Sequence, residues 1–372
     1  MKFSTTGVSI FGGNMSIQSI EKDFSEIPVI DISGLYSSDP NDQQRVAHVL
    51  GKAAEHVGFL YIKGHRIPKA HIEALQAQAK AFFALPLEEK MQYYAGKFGI
   101  KHRGYVPPGE ERVEAIDRPD LADLPNKTDN KEAFDLSWDL PDNDPDVIAN
   151  KPMHGSNVWA DLPNFKEDIS TYYADVIALG RVLLRGFELA LQLEPDALNR
   201  LVTRPTSQLR LMHYPHDLDA EDILGFGAHT DMELFTILLP TAPGLEVVNS
   251  KGEWIDAPPI EDTFVVNIGD MIEALSGGRF TATSHRVRKV RDERYSFPLF
   301  FACDYDVEIK PLPQFATAEA LEKYPPVIAG QHLFEVSAQG FVYMREMVKR
   351  GEIQLTGPNV HFGKHNYDDL GE

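Results

Sequence analysis

Gly227-Ala228-His229-Thr230-Asp231 is the stretch on which the reading of this chain turns. It lies within residues 207–303, a region of short β-rich runs broken by Gly, Pro and Asp at fairly regular intervals. Residues 208–214, 234–239, 245–248, 263–268, 284–290 and 295–302 are such runs. Many short strands separated by turn signals indicate a β sandwich or barrel. In a strand, residues i and i+2 project from the same face. His229 and Asp231 are therefore expected to point together into the barrel, one offering an imidazole nitrogen and the other a carboxylate oxygen. A third ligand belongs on another strand, and His285, in Ser284-His285-Arg286-Val287, opens a later β run. Two histidines and one carboxylate on one face of an octahedral metal leave three positions open. That arrangement suits ferrous iron that must bind O₂ and a co-substrate together.

A His-x-Asp tripeptide alone arises often by chance, so the neighbouring motifs carry weight. Arg294-Tyr295-Ser296 follows soon after His285 and repeats the i, i+2 spacing. A guanidinium and a hydroxyl on one face form a fork for a carboxylate, with Arg supplying a bidentate ionic bond. The core-like run Phe297-Pro298-Leu299-Phe300-Phe301 follows at once, and an Arg leading into a buried strand needs an anionic partner. Arg286, Arg288, Lys289, Arg291 and Arg294 can alternatively be read as a solvated strand edge. In Arg210-Leu211-Met212-His213-Tyr214-Pro215, alternation puts Arg210, Met212 and Tyr214 on one face, so the Tyr214 hydroxyl could reach the same carboxylate. His56, His65, His154, His213 and His332 have no comparable context, and His361 and His365 sit in a Gly- and Asn-containing tail.

Composition narrows the partners. The chain has 372 residues and a formal net charge of −20, which repels phosphate backbones and anionic lipid. Neither nucleic acid nor a membrane surface is expected as partner; a small molecule is. Oligomeric state is left open. The single cysteine, Cys303, excludes a disulfide framework and a thiolate zinc cage, fits a reducing cytoplasm, and reads as a small core residue. No stretch approaches the roughly 18 apolar residues of a membrane helix. The first residues lack a sustained apolar segment and a cleavage site, and either Met1 or Met15 could be the start.

Upstream, Ile27-Pro28-Val29-Ile30-Asp31-Ile32 and Gly58-Phe59-Leu60-Tyr61-Ile62 read as strands. Residues 43–56 and 72–82 show helical spacing, and residues 165–193 form a long helix with an apolar stripe. Between 104 and 163 the periodicity degrades. Residues 117–152, rich in Asp, Asn and Pro, are expected to form a long loop, either a solvated excursion or a lid. A last amphipathic helix is expected near 331–349. The expected organisation is a flexible extension over 1–26, an α+β region over 27–200, a catalytic core over 201–310, and a helical segment and tail over 311–372, all one unit.

With these residues assembled, the chain resembles the isopenicillin N synthase-like family of 2-oxoglutarate- and iron-dependent oxygenases. The resemblance rests on residues 27–31 and 58–62, residues 225–231, Pro243-Gly244-Leu245, Gly252-Glu253-Trp254, Asn267-Ile268-Gly269-Asp270 and Ser284-His285-Arg286, in that order. It implies an α+β fold with a mainly β core, a double-stranded β-helix (jelly roll) with flanking helices and a helical N-terminal region. It implies iron(II) ligation by His229, Asp231 and His285, and anchoring of 2-oxoglutarate by Arg294, Ser296 and Tyr214. The implied reaction uses O₂ to oxidise a C–H bond of a small metabolite, with succinate and CO₂ as co-products. Hydroxylation is the default outcome, with desaturation or ring closure as variants. Phe235 and Phe301 are offered as pocket walls, and Phe134 as a residue near the pocket mouth. Met212 stands where many members carry Asn, removing a polar contact near the co-substrate. The same scaffold also serves iron oxidases, which use the Arg-x-Ser pair for the substrate's own carboxylate, and ethylene-forming enzymes. A non-catalytic jelly-roll binding protein is the remaining alternative.

Overall fold

The computed structural model describes residues 22–112, 131–216, 224–288 and 292–356. The expected extension before residue 22, the choice between Met1 and Met15, residues 117–130 of the expected loop, and His361 and His365 lie outside the described residues.

Strands β1 (Val29–Asp31) and β2 (Phe59–Lys63) pair in parallel. Helix α1 (Pro40–His56) joins them; Asp39 caps it by accepting the Asn41 N–H, and Pro40 fills the first turn, where no N–H is needed. Helix α2 (Lys69–Phe83) follows. Next come β3 (Gly104–Val106), β4 (Glu132–Ser137) and the long helix α3 (Phe165–Ala190). The barrel strands are β5 (Gln208–Tyr214), β6 (Leu224–His229), β7 (Phe235–Pro240), β8 (Leu245–Val248), β9 (Trp254–Asp256), β10 (Phe264–Ile268), β11 (His285–Arg288) and β12 (Arg294–Phe301). An eight-stranded sheet runs β1-β2-β10-β7-β12-β5-β4-β3, and a four-stranded sheet runs β6-β11-β8-β9. Residues of both sheets line one cavity, so the two face each other as the halves of a jelly roll. No helix among the described residues is long and apolar enough to cross a membrane.

Two expectations are corrected. Residues 132–137 are a buried strand rather than part of a loop, pairing with β5 along their length. Glu132 and Asp135 hid it. Both are buried because they are ion-paired, to Lys90 and Arg210, so the strand carries charge where alternation would show apolar residues. The C-terminal helix is two helices, α4 (Ala329–Gly340) and α5 (Val342–Lys349). Phe341 between them is extended and bridges Glu111, and its ring lies under the Arg210 guanidinium.

Strand parity divides the large sheet into a cavity face and a helix-covered face. On β12, Arg294, Ser296, Pro298 and Phe300 line the cavity, whereas Phe297, Leu299 and Phe301 are fully buried in the core on the other side. Helix α3 covers that second face. At Gly180 a Cβ would come within 2.2 Å of the Phe301 ring, whose other neighbour, Phe235, is stacked at 4.8 Å. The ring therefore has little room to yield. Gly180→Ala gains about 1 kcal/mol of helix propensity but overpacks a rigid contact, which costs roughly 1–3 kcal/mol. Net destabilisation is expected, read as a lower urea midpoint at unchanged slope; an equal or higher midpoint would show that the contact relaxes.

Candidate metal centre

His229 is the last residue of β6, and its cross-strand partner is His285, the first residue of β11. The two rings lie 4.3 Å apart, centroid to centroid. Each places Nδ1 beside a backbone carbonyl two residues back: His229 at 2.8 Å from Gly227 O, His285 at 3.3 Å from Thr283 O. A carbonyl can only accept, so Nδ1–H donates and both Nε2 lone pairs face inward.

Asp231 arrives differently from the expectation. It lies beyond the end of β6, in the turn leading to β7, so strand alternation does not aim it. Hydrogen bonds do. Its Oδ2 accepts from Asn267 Nδ2 on β10, at 2.7 Å, and from the Thr236 hydroxyl on β7. Its backbone carbonyl accepts from Asp270 N at 2.8 Å, and Thr230 Oγ1 donates to the Asp270 carboxylate at 2.9 Å. Oδ1 is left facing the histidines, 3.6 Å from His229 Nε2 and 3.7 Å from His285 Nε2. Burial opposes ionisation of Asp231, but the two imidazoles and the Thr236 hydroxyl outweigh it and hold the carboxyl far below the usual range. Three potential ligand atoms thus lie within 4.8 Å of one another. All three line a cavity of about 190 Å³. An open, three-donor N₂O set fits ferrous iron better than a closed structural zinc cage.

The other sequence candidates divide. Arg294 and Ser296 line the cavity, as their shared parity requires, and so do Tyr214 and Met212, their cross-strand neighbours on β5. Tyr214 meets Arg294 through its ring face, 4.8 Å from the guanidinium carbon. Arg294 is 1 % exposed, yet among the described residues its polar contacts are long, 3.4 Å to Ala242 O and 3.5 Å to Ser296 Oγ. Its Nη1 is buried with no hydrogen-bond partner among the described residues.

Phe134, Phe235 and Phe301 are not cavity walls. Phe134 packs edge-on against Phe82 and Phe165, and Phe235 stacks on Phe301 beneath α3. The parity that puts Arg294 and Ser296 in the cavity puts Phe300 there too, and Phe301 behind the sheet.

Several cavity residues gave no sequence signal of their role. Arg210 is held by Asp135 through two bonds of 2.7 and 2.9 Å, and by Glu111 at 2.7 Å, while Lys131 lies 3.2 Å from the other Glu111 oxygen. Burial lowers His102 to about 3, helped by the Arg210 charge, so it is neutral. Glu233, two residues past Asp231, lines the cavity and is half-buried. Burial pushes its carboxyl up to about 8, with the Asp231 charge adding to it. His332, Val336, Ser337 and Phe341 bring α4 and its C-terminal end over the cavity.

Comparison with known proteins agrees with this geometry. Residues 27–162 match the N-terminal model of the non-haem dioxygenases in morphine synthesis, and residues 205–302 match the 2OG-Fe(II) oxygenase superfamily. A 2-oxoglutarate-Fe(II) type oxidoreductase, ppzC, of Metarhizium rileyi is 35 % identical over 74 % of this chain and 77 % of its own length. A homoarginine-6-hydroxylase of Oryza sativa is 34 % identical over 86 % of this chain and 99 % of its own. Among solved structures, a full-length Neurospora crassa protein in complex with alpha-KG and thymine superposes with a TM-score of 0.71 at 26 % identity, over 84 % of this chain and 96 % of that one. The chain belongs to the 2-oxoglutarate- and Fe(II)-dependent oxygenases, and it is a dioxygenase of that family acting on a small organic substrate.

Proposed function

We propose that His229, Asp231 and His285 hold the iron and that Arg294 receives the distal carboxylate of 2-oxoglutarate, with Ser296 and Tyr214 beside it. The observation that carries this reading is the unpartnered Nη1 of the buried Arg294, which shares the cavity with the triad. A guanidinium kept out of water without an anion is strongly disfavoured. A dicarboxylate chelating the metal at its keto-acid end would bring its far carboxylate to that group, where a bidentate ionic bond can form. Met212, opposite Ser296 on the neighbouring strand, contributes apolar surface there instead of an amide.

Iron with bound 2-oxoglutarate supplies activation of O₂, coupled to conversion of the keto acid into succinate and CO₂ and to oxidation of a substrate C–H bond. The chain's own work is placement. The carbonyls of Gly227 and Thr283 fix the histidine tautomers. Asn267 and Thr236 hold one oxygen of Asp231 so that the other faces inward. Apolar side chains such as Leu238, Leu245 and Val287 limit water around the reacting bond. The named relatives act on chemically distinct molecules, one named for homoarginine and one crystallised with thymine. The shape and charge of this cavity, more than the shared scaffold, therefore select the substrate.

Three outcomes test the assignment. His229→Ala and Asp231→Ala should each lose stoichiometric iron and all substrate-dependent succinate formation; full activity in either would remove that ligand from the set. Asn267→Ala removes one of the two donors to Asp231 Oδ2 and should weaken iron binding roughly 10- to 100-fold, measured by anaerobic metal titration, whereas unchanged affinity would mean that this donor is dispensable. Arg294→Ala should raise the 2-oxoglutarate dissociation constant roughly 10- to 100-fold with iron content intact. An unchanged constant, or oxidation without one succinate per turnover, would favour an oxidase that uses Arg294 for its own substrate.

A further inference from the structure

His213 lies on the face of β5 that turns away from the cavity. Its cross-strand partner on β12 is Tyr295, and the adjacent pair, Tyr214 and Arg294, lines the cavity on the other face. Both ring nitrogens of His213 meet carboxylates. Nδ1 lies 2.9 Å from Glu132 Oε1 on β4, and Nε2 lies 2.9 Å from Oε1 of Glu293, the residue before β12. A carboxylate oxygen only accepts, so the two contacts together call for a proton on each nitrogen. The ring also stacks on Tyr295 at 4.8 Å and on Phe83, the last residue of α2, at 5.3 Å.

Each end of this clasp is anchored. Glu132 Oε2 accepts from Lys90 Nζ at 2.7 Å and from the Tyr105 hydroxyl at 2.6 Å, and the same Nζ lies 3.2 Å from Phe83 O. Glu293 Oε1 also accepts from the Tyr295 hydroxyl, at 3.1 Å. One imidazole thus joins β4, β5 and the start of β12, which are adjacent in the large sheet. The ladder between β5 and β12 ends at this point, because Arg294 opens β12 and Tyr214 closes β5. On the other flank β12 is held by Thr241, whose N–H donates to Tyr295 O at 3.1 Å. Among the described residues the polar contacts of the Arg294 side chain are long, so its guanidinium is placed by the strand beneath it and by the Tyr214 ring.

Resting on the functional reading above, we propose that His213 and Glu293 are positioning residues for 2-oxoglutarate. Their clasp holds the ends of β5 and β12 so that Tyr214 and Arg294 keep the spacing at which the guanidinium meets the far carboxylate. Neither residue touches the keto acid; both act from the outer face of the sheet, through the strand ends. Charge alone predicts the opposite effect. Glu293 is a negative group near an anion site, and removing it would by itself tighten anion binding.

The test compares two keto acids by calorimetry on the anaerobic Fe(II)-loaded protein. 2-Oxopentanoate has the chain length and keto-acid end of 2-oxoglutarate but lacks the far carboxylate. Wild type should bind 2-oxoglutarate at least ~10-fold more tightly than 2-oxopentanoate. Glu293→Ala should weaken 2-oxoglutarate at least ~5-fold and leave the affinities for 2-oxopentanoate and iron within about twofold. His213→Phe, which keeps a ring for both stacks and loses both donors, should do the same. Glu293 is exposed, so its variant decides the matter even if His213→Phe does not fold. Unchanged or tighter 2-oxoglutarate binding in Glu293→Ala overturns the proposal. So does an equal weakening of both keto acids, which would mark a general loss of structure. Arg294→Ala separates the two levels. If wild type has no preference, or Arg294→Ala keeps it, the parent reading falls and this one with it. If Arg294→Ala loses the preference while Glu293→Ala retains it in full, the clasp alone is refuted.

Discussion

The structure depends on how one carboxylate is held. Asp231 follows a strand of the small sheet, but its Oδ2 is gripped by Thr236 and Asn267 of the large sheet. Its other oxygen faces two imidazoles whose strands pair with each other across the small sheet. The carboxylate therefore ties residues of the two sheets together at one point. Two donors on one oxygen offset the cost of burying an ionised group. The inward oxygen is thereby directed before any metal arrives, which is the pre-organisation a ligand set needs.

The two buried arginines of the cavity show opposite uses of one side chain. Arg210 is saturated by Asp135 and Glu111, and the Phe341 ring covers it, so it braces β4, β5 and the joint between α4 and α5. Arg294 has almost the same burial, but among the described residues its Nη1 has no partner and its other polar contacts, to Ala242 O and Ser296 Oγ, are long. Breaking a buried pair typically costs roughly 3–5 kcal/mol, so an arginine with no anionic partner among the described residues supports the proposed carboxylate site.

Much of this was legible in the sequence, for physical reasons. Strand periodicity makes the parity of Arg294, Ser296, Met212 and Tyr214 readable, and along β12 and β7 the same alternation puts Phe301 and Phe235 on the opposite face. The pair His229 and Asp231 was found, although Asp231 is aimed by Asn267 and Thr236 and not by the strand. Long-range partners leave no local signal. Asn267 lies 36 positions from Asp231, and the Asp135–Arg210 pair spans 75. Buried ion pairs also disguise secondary structure. Strand β4 reads as a loop because Glu132 and Asp135 are charged, and only the fold supplies the cations that let them be buried. The break at Phe341 depends on a bridge to Glu111, which no helical pattern contains.

Anomalous diffraction at the iron edge, from crystals grown anaerobically with Fe(II) and 2-oxoglutarate, addresses the central claim most directly. The account predicts a single strong peak within bonding distance of His229 Nε2, His285 Nε2 and Asp231 Oδ1, with the keto acid on the open side and its far carboxylate on Arg294. A peak elsewhere, or one enclosed by a fourth protein ligand, would contradict it.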